Sequence, residues 1–144
     1  MTKDEAEIRS IIADRAKARH AKNVDLLLAH GGEGFLSFDL APLRNKGGSP
    51  KEARREIEAW FAIWKGPIGL EERDLVVTAG DNVAFSTSLT HMTGTKTDGV
   101  EVSLWFHSTN GFRKENGKWK VTHAHSSVPF YMDGSFKAHV DLKP

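Results

Sequence analysis

The feature of this sequence that most constrains its fold is a change of hydrophobic period near residue 70. Before that point, apolar residues recur every three or four positions, as they do on one face of an α-helix. After it, apolar and polar residues alternate, which predicts β-strands over residues 70–79, 83–92, 100–113 and 118–128. Residues 80–82 and 115–117 have the composition of tight turns. Because strands joined by such short turns pair antiparallel, the second half of the chain is predicted to be a four-stranded meander.

The first helix is predicted by its cap and by its apolar stripe. Thr2 and Glu5 have the spacing of a capping box, and isoleucines follow at positions 8, 11 and 12. One more turn of the stripe reaches Arg15, whose guanidinium must there extend to solvent or meet a carboxylate. The other cations of this segment are interpreted as a solvated helix face: Lys17, Arg19 and Lys22.

Two further helices and one strand are predicted before the meander. Asn23 can cap a short helix that carries three consecutive leucines. Ser49, Pro50 and Glu52 have the pattern of a helix start, with a cap, an early proline and a glutamate three residues after the cap. The apolar face of that helix is predicted to carry Ala53, Ile57, Trp60, Phe61 and Trp64. A short strand over residues 33–40 and a loop that includes residues 42–48 lie between these helices.

This order of elements predicts an α+β fold. We expect a curved antiparallel sheet wrapped around about three helices, cone-shaped and with an internal pocket. The chain of 144 residues is long enough to bury a core, and we expect one domain over residues 1–144.

Composition excludes several classes of function. A formal net charge of +1 gives no electrostatic footprint for nucleic acid. No stretch approaches the roughly 20 apolar residues that cross a bilayer, and the N-terminal segment lacks the apolar core of a signal peptide. The absence of cysteine removes disulfides and thiol nucleophiles. With no phosphate-binding glycine loop or dinucleotide fingerprint, we expect a cytoplasmic protein without a cofactor that binds neither nucleic acid nor membrane.

Histidines on the last two predicted strands are one set of site candidates. Alternation places His123 and His125 on the same face as Trp119, and places Trp105 on the same face as His107. A histidine pair can serve as a general acid and base or as two metal ligands. It can equally be a pair of hydrogen-bonded core or interface residues. A metal would need a third ligand, and no metal site is assigned.

Asp39 is the strongest single candidate for a residue of a functional site. It ends a short apolar strand, where a carboxylate is costly unless it has a partner. The functional interpretation is a general base in a pocket. The structural one is an aspartate that caps the following loop or pairs with Arg15.

The aromatic cluster of Trp60, Phe61 and Trp64 also has two interpretations. Such a cluster on one helical stripe is either part of the core or the apolar wall of a small-molecule pocket.

The segment LWFHSTNGFRKENGKWKVTHAHSSVPF, residues 104–130, resembles the closing hairpin of SnoaL-like proteins in the nuclear transport factor two-like superfold. The stretches FLSFDLAPLR and GPIGLEERDL and the turn at residues 117–119 extend the resemblance over nearly the whole chain. That superfold includes polyketide cyclases, ketosteroid isomerase and the association domain of a calcium/calmodulin-dependent kinase. The resemblance implies a small-molecule ligand and a homodimer formed through the exposed face of the sheet.

The resemblance also implies roles for individual residues. Asp39 falls where isomerase-like members place their general base, and Asn110 falls where ketosteroid isomerase has an acid that stabilises the oxyanion. His107 and Arg15 are further candidate donors to that oxyanion. Ligand contacts are expected from Arg15, Trp60, Phe61, Trp64, Thr87, Trp105, His123, His125 and Ser126.

Two functions from different classes follow. The first is a cofactor-free isomerase or cyclase that transfers a proton next to a carbonyl of a small apolar substrate. The alternative is a non-catalytic domain that binds a small carboxylate through Arg15 or serves oligomerisation. An ion pair between Arg15 and Asp39 would favour the alternative, because it holds the carboxylate ionised and weakens it as a base. An unpaired Asp39 that faces an apolar cavity would favour the enzyme.

Overall fold

The computed structural model describes residues 1–41 and 49–144. Within them the helices are α1 (Lys3–Ala21), α2 (Val24–Ala29) and α3 (Pro50–Ala62). The strands are β1 (Gly31–Phe38), β2 (Trp64–Ala79), β3 (Val83–Lys96), β4 (Glu101–Glu115) and β5 (Lys118–Ser127). The predicted α+β class, three helices on a curved and open sheet, is confirmed. The predicted loop at 42–48 lies outside the described residues.

The predicted helix caps are present. The Thr2 side chain accepts a hydrogen bond from the backbone N–H of Glu5, and the Glu5 carboxylate accepts one from the backbone N–H of Thr2. Ser49 and Glu52 form the same reciprocal pair at the start of α3. Asn23 caps α2 by accepting from the N–H of Leu26. No helix in the described ranges is long and apolar enough to span a bilayer.

The sheet has the strand order β1-β5-β4-β3-β2. The four later strands form the predicted antiparallel meander. β1, however, pairs parallel to β5, with Leu36 opposite His123 and Phe38 opposite His125. The prediction of a wholly antiparallel sheet is therefore wrong at this edge. The reason is that β1 reaches β5 through a long connection rather than a tight turn, which leaves its direction open.

Trp64 was predicted on the apolar face of the third helix, and this prediction is wrong. α3 ends at Ala62, and Trp64 is instead the first residue of β2. Its ring packs on the backbone of Gly94 in β3, where an added Cβ would lie 3.0 Å from two ring carbons. The glycine therefore allows the indole to reach the core from a strand.

Two apolar clusters lie between the helices and one face of the sheet, which we call the interior face. The first joins Ile8, Ile11 and Ile12 of α1 to sheet residues, namely Val77, Ala84, Phe112, Trp119 and Val121. The second contains Ala18, Leu27, Phe61, Trp64 and Ile68. The opposite side of the sheet is called the outer face. The two clusters leave a band of interior face between them along α1.

A β-bulge between β4 and β5 changes which residues share a face. Phe112 pairs with Val121, but the neighbouring Gly111 pairs with His123, so Thr122 is the extra residue. The bulge moves His123 and His125 to the outer face, whereas Trp119 and Val121 point to the core. The predicted common face of Trp119 and the two histidines is therefore wrong. A bulge of one residue inverts the alternation that the prediction used.

Candidate functional site

The band between the two apolar clusters is polar. Ser86, Ser88 and Thr90 alternate along β3 on the interior face, and all three are buried. Ser108 and Asn110 lie beside them on β4, because Ser88 pairs with Ser108 and Ser86 with Asn110. These five residues, which we call the polar layer, place hydrogen-bonding groups where core side chains are usually apolar.

Hydroxyl groups of the polar layer are organised by Glu72 of β2. Ser88 and Thr90 both donate to the same carboxylate oxygen of Glu72, and the Thr90 distance is 3.0 Å. Thr90 Oγ1 and Ser108 Oγ are 2.7 Å apart. Since the single hydroxyl proton of Thr90 is donated to Glu72, Ser108 donates to Thr90. The carboxylate thus orients a chain of three hydroxyl groups.

Two arginines of α1 face this band. Arg15 follows Ile8 by seven residues and Arg19 follows Ile12 by seven, so both continue the buried stripe, and both are partly buried. Within residues 1–41 and 49–144, neither side chain forms a hydrogen bond or an ion pair. The prediction that Arg19 belongs to a solvated face is therefore wrong. Lys22 is also not free in solvent, because its Nζ donates to the backbone oxygen of Trp64.

The charges of the band act on one another at a distance. Burial, and after it the charge of Arg19, lower the pKa of Arg15 to about 9 against the opposing charge of Asp39. Burial also lowers the pKa of Arg19, against the opposing charges of Glu72 and Asp39. With a pKa of about 9, Arg15 is still protonated at neutral pH, so the band holds a guanidinium cation that the charge of Arg19 repels.

Asp39 follows directly after β1. Ser37, which is 4% exposed, donates to Asp39 Oδ2 at 2.9 Å. The alternation along β1 puts Ser37 and Asp39 on the interior side, and Asp39 interacts electrostatically with Arg15 and Arg19. No Arg15–Asp39 ion pair closes the site. Asn110 Nδ2 lies 3.4 Å from Ser86 Oγ, on the same face.

The aromatic candidates belong to the second apolar cluster. Phe61 and Trp64 are buried in it, and Trp60 packs at its margin. The Trp60 and Trp64 rings meet edge to face at 5.8 Å. The indole N–H of Trp64 is buried without a hydrogen-bond partner among the described residues. Met92 packs against this cluster and follows Thr90 by two residues on β3, so the cluster adjoins the polar layer, and a core role and a wall of a ligand site are compatible here.

Five predicted site residues lie on the outer face and not beside Arg15. They are Thr87, Trp105, His107, His123 and His125, and the register pairs Thr87 with Thr109 and Thr109 with His125. They also have outer-face contacts. His123 Nδ1 donates to the backbone oxygen of Leu36 at 2.7 Å, and the Trp105 ring stacks on His91 at 4.5 Å.

Ser126, in contrast, pairs with Ser108 and lies on the interior face with Asn110. The interior set of predicted residues is therefore Arg15, Asp39, Asn110 and Ser126, with the aromatic cluster at one end. Across the described ranges, no three histidine, aspartate or glutamate side chains are grouped as metal ligands would be.

Sequence reasoning missed Arg19, Glu72 and most of the polar layer. For Arg19 a signal existed, because it lies four residues after Arg15 and extends the same stripe. For the polar layer the signal was the pair of serines two residues apart, Ser86 and Ser88, within a strand whose other face carries the larger Phe85 and Leu89. Glu72 had no local signal, since its role depends on the pairing of β2 with β3.

Comparison with known proteins agrees with this architecture. Residues 8–131 match the family model described as a SnoaL-like domain. A crystal structure of an NTF2-like protein of unknown function from Pseudomonas putida is 28% identical, with a TM-score of 0.86. That match covers 100% of this chain and 99% of the other. Comparison with curated proteins gave no significant match.

More distant solved structures share the fold. A proposed ketosteroid isomerase from Shewanella frigidimarina is 22% identical over 82% of this chain and 92% of its own, with a TM-score of 0.68. A proposed dehydratase of the NTF2-like family from Streptomyces avermitilis is 14% identical over 86% of this chain and 95% of its own, with a TM-score of 0.73. The family model spans most of the length of this chain, which therefore belongs to the SnoaL-like domain family.

Proposed function

We propose that this protein binds a small molecule in the polar band and transfers a proton next to a carbonyl group of that molecule, without a cofactor. The observation that carries the proposal is the position of Asp39. Its carboxylate lies on the interior side and interacts electrostatically with two guanidinium groups, yet it is not held in an ion pair with Arg15. A carboxylate in that position is available to accept a proton.

The proposed step balances within the site. Asp39 takes a proton from the carbon next to the carbonyl, and the electron pair of that C–H bond moves into an enolate whose charge lies on the carbonyl oxygen. Asn110 stabilises that oxygen by donating a hydrogen bond to it. In a substrate whose deprotonated carbon lies between the carbonyl and a carbon–carbon double bond, the enolate is a dienolate, and the proton returns from Asp39 to the far carbon of that double bond. The double bond moves next to the carbonyl, which completes an isomerisation. No oxidant, reductant or metal is required.

Two solved structures with the same fold support this class of reaction. Structures with the same fold include a proposed isomerase and a proposed dehydratase. Isomerisation next to a carbonyl and elimination of water can both begin with abstraction of a proton. The fold alone does not decide the reaction, so the argument depends on the residues of the band.

The polar band also favours a second candidate, a non-catalytic protein that binds a carboxylate. Two guanidinium groups without partners in the described ranges, and a layer of hydroxyl groups, suit an anionic ligand at least as well as a small apolar substrate. In that case Arg15 retains the ligand and Asp39 serves only to balance charge. The two candidates differ in whether a bound carbonyl compound exchanges its protons.

Deuterium exchange separates the two candidates. The protein is incubated in D₂O with phenylbutanone, benzoylpropionate and pyruvate, and proton NMR follows the signals of hydrogens next to each carbonyl. We expect at least one compound to lose those signals faster with protein than with the same concentration of acetate in buffer. Binding of these compounds without accelerated exchange would contradict proton transfer and favour the binding protein.

We further propose that two copies associate through the outer face of the sheet. Val76, Val83 and Phe85 lie on that face and are 57%, 66% and 50% exposed. Large apolar side chains grouped on one face typically mark a protein interface. Light scattering is expected to give the mass of a dimer for the native chain and of a monomer for Phe85→Lys. Phe136→Lys, in the exposed C-terminal segment, is the matched control; a dimer that survives Phe85→Lys would contradict this interface.

A further inference from the structure

We propose that the ligand of the polar band carries a carboxylate, and that Arg15 and Arg19 bind it together. This inference names the substrate class of the proposed function and rests on that function for the existence of a ligand. It assigns a role to Arg19, which continues the buried stripe of α1 one turn beyond Arg15. Residues four apart on a helix have Cβ atoms about 5–6 Å apart, a spacing at which two guanidinium groups can share one anion.

The first step of the argument is that both cations lack a counter-ion in contact. A guanidinium has five N–H donors, and within the described ranges neither arginine uses one in a hydrogen bond or ion pair. The two carboxylates that act on them are engaged elsewhere: Glu72 by Ser88 and Thr90, and Asp39 by Ser37. Within the described ranges, therefore, neither carboxylate of the band is in direct contact with either arginine.

The second step is energetic. Partly removing two like charges from water without direct partners destabilises the fold, and here the charge of Arg19 also acts unfavourably on Arg15. A carboxylate offsets both effects, because it supplies opposite charge and accepts two parallel hydrogen bonds from a guanidinium.

The third step concerns what surrounds the arginines. The polar layer offers hydroxyl and amide groups from Ser108 and Asn110, and Trp60 and Trp64 close the apolar end. A molecule with a carboxylate, a carbonyl and a small apolar body matches these three regions. An oxo acid is therefore a better fit than the small apolar substrate of the first hypothesis from the sequence, and it combines the carbonyl of that hypothesis with the carboxylate of its alternative.

The test compares a carboxylate with its neutral amide. Thermal unfolding is followed with phenylacetate, benzoylpropionate, or the amide of either, at constant ionic strength set with sodium chloride. A carboxylate at ten times its Kd is expected to raise Tm by about 4 °C, and its amide by much less. Arg15→Met and Arg19→Met should each abolish the rise. Lys17→Met, which removes a charge from the exposed side of the same helix, should retain it.

The unliganded variants show whether the substitutions merely damage the fold. Arg15→Met and Arg19→Met each remove a desolvated charge, so without ligand both should unfold at the same temperature as the native chain or higher. An equal effect of acid and amide, no rise with any carboxylate, or a rise that survives both substitutions would overturn the inference. Carboxylate binding without deuterium exchange would support this inference and contradict only the proposed proton transfer. Exchange of neutral ketones without a preference for carboxylates would support proton transfer and contradict this inference.

Discussion

Replacing Asp39 with asparagine is expected to lower the rate of deuterium exchange by about 10²–10⁴-fold, the usual contribution of a general base. The amide occupies nearly the same volume and can still interact with Ser37, but it cannot accept the proton. Exchange is measured by proton NMR with the compound that the native chain turns over fastest. Affinity for the same compound, measured by calorimetry, is expected to change little, because the proposed anchors are Arg15 and Arg19.

Glu72→Gln is the matched control for this substitution. It removes the other carboxylate of the band, which acts on Arg19, and also preserves side-chain volume. Glu72 orients hydroxyl groups of the polar layer, and a glutamine oxygen can still accept from them, so Glu72→Gln should slow exchange much less than Asp39→Asn does. Equal loss of exchange in both variants would indicate that total interior charge matters and that Asp39 is not the base. Undiminished exchange in Asp39→Asn would remove its assigned role.

Sequence alone predicted those parts of the fold that depend on neighbouring residues. Thr2 with Glu5 and Ser49 with Glu52 are three residues apart, so each capping box is complete within one turn of chain. The antiparallel meander was likewise predictable, because tight turns fix the direction of the next strand. β1 behaves differently, since its partner β5 lies about eighty residues further along and no local pattern specifies that pairing.

The same distinction explains which site residues were predicted. Arg15 and Asp39 were found because each is polar in an apolar stretch, and that contrast is visible in the sequence. The placement of His123 failed because one bulged residue in β5 inverts the alternation, and a bulge depends on the partner strand. Glu72 was invisible because its hydroxyl partners come from the neighbouring strand β3.

Trp119→Ala is expected to lower the free energy of unfolding by about 3–5 kcal/mol, as large-to-small substitutions of buried aromatic residues do. Trp119 is 1% exposed and lies in the apolar cluster formed with α1. Its indole N–H donates to Asp4 Oδ1 at 2.9 Å, and the same oxygen accepts from Lys114 at 3.1 Å. Urea denaturation followed by circular dichroism measures the loss.

The contact with Asp4 gives this prediction a pH signature. Hydrogen bonds from Trp119 and then Lys114 lower the pKa of Asp4 in the folded chain. Its stabilising contribution is therefore present above the ordinary aspartate pKa of about 4 and disappears as pH falls through the lowered value. Trp119→Phe should keep most of the packing but flatten this acid dependence.

Trp105→Ala is the control for Trp119→Ala, because it makes the same change in a partly exposed tryptophan on the outer face. It removes the stack on His91 and the contact with Arg73, both at the surface of the sheet. Trp105→Ala should lower the free energy of unfolding much less than Trp119→Ala does, since no cavity forms in the core. The cluster around Trp119 is assigned here as the part of the core that holds α1 against the sheet. Equal losses of unfolding free energy in the two variants would contradict that assignment.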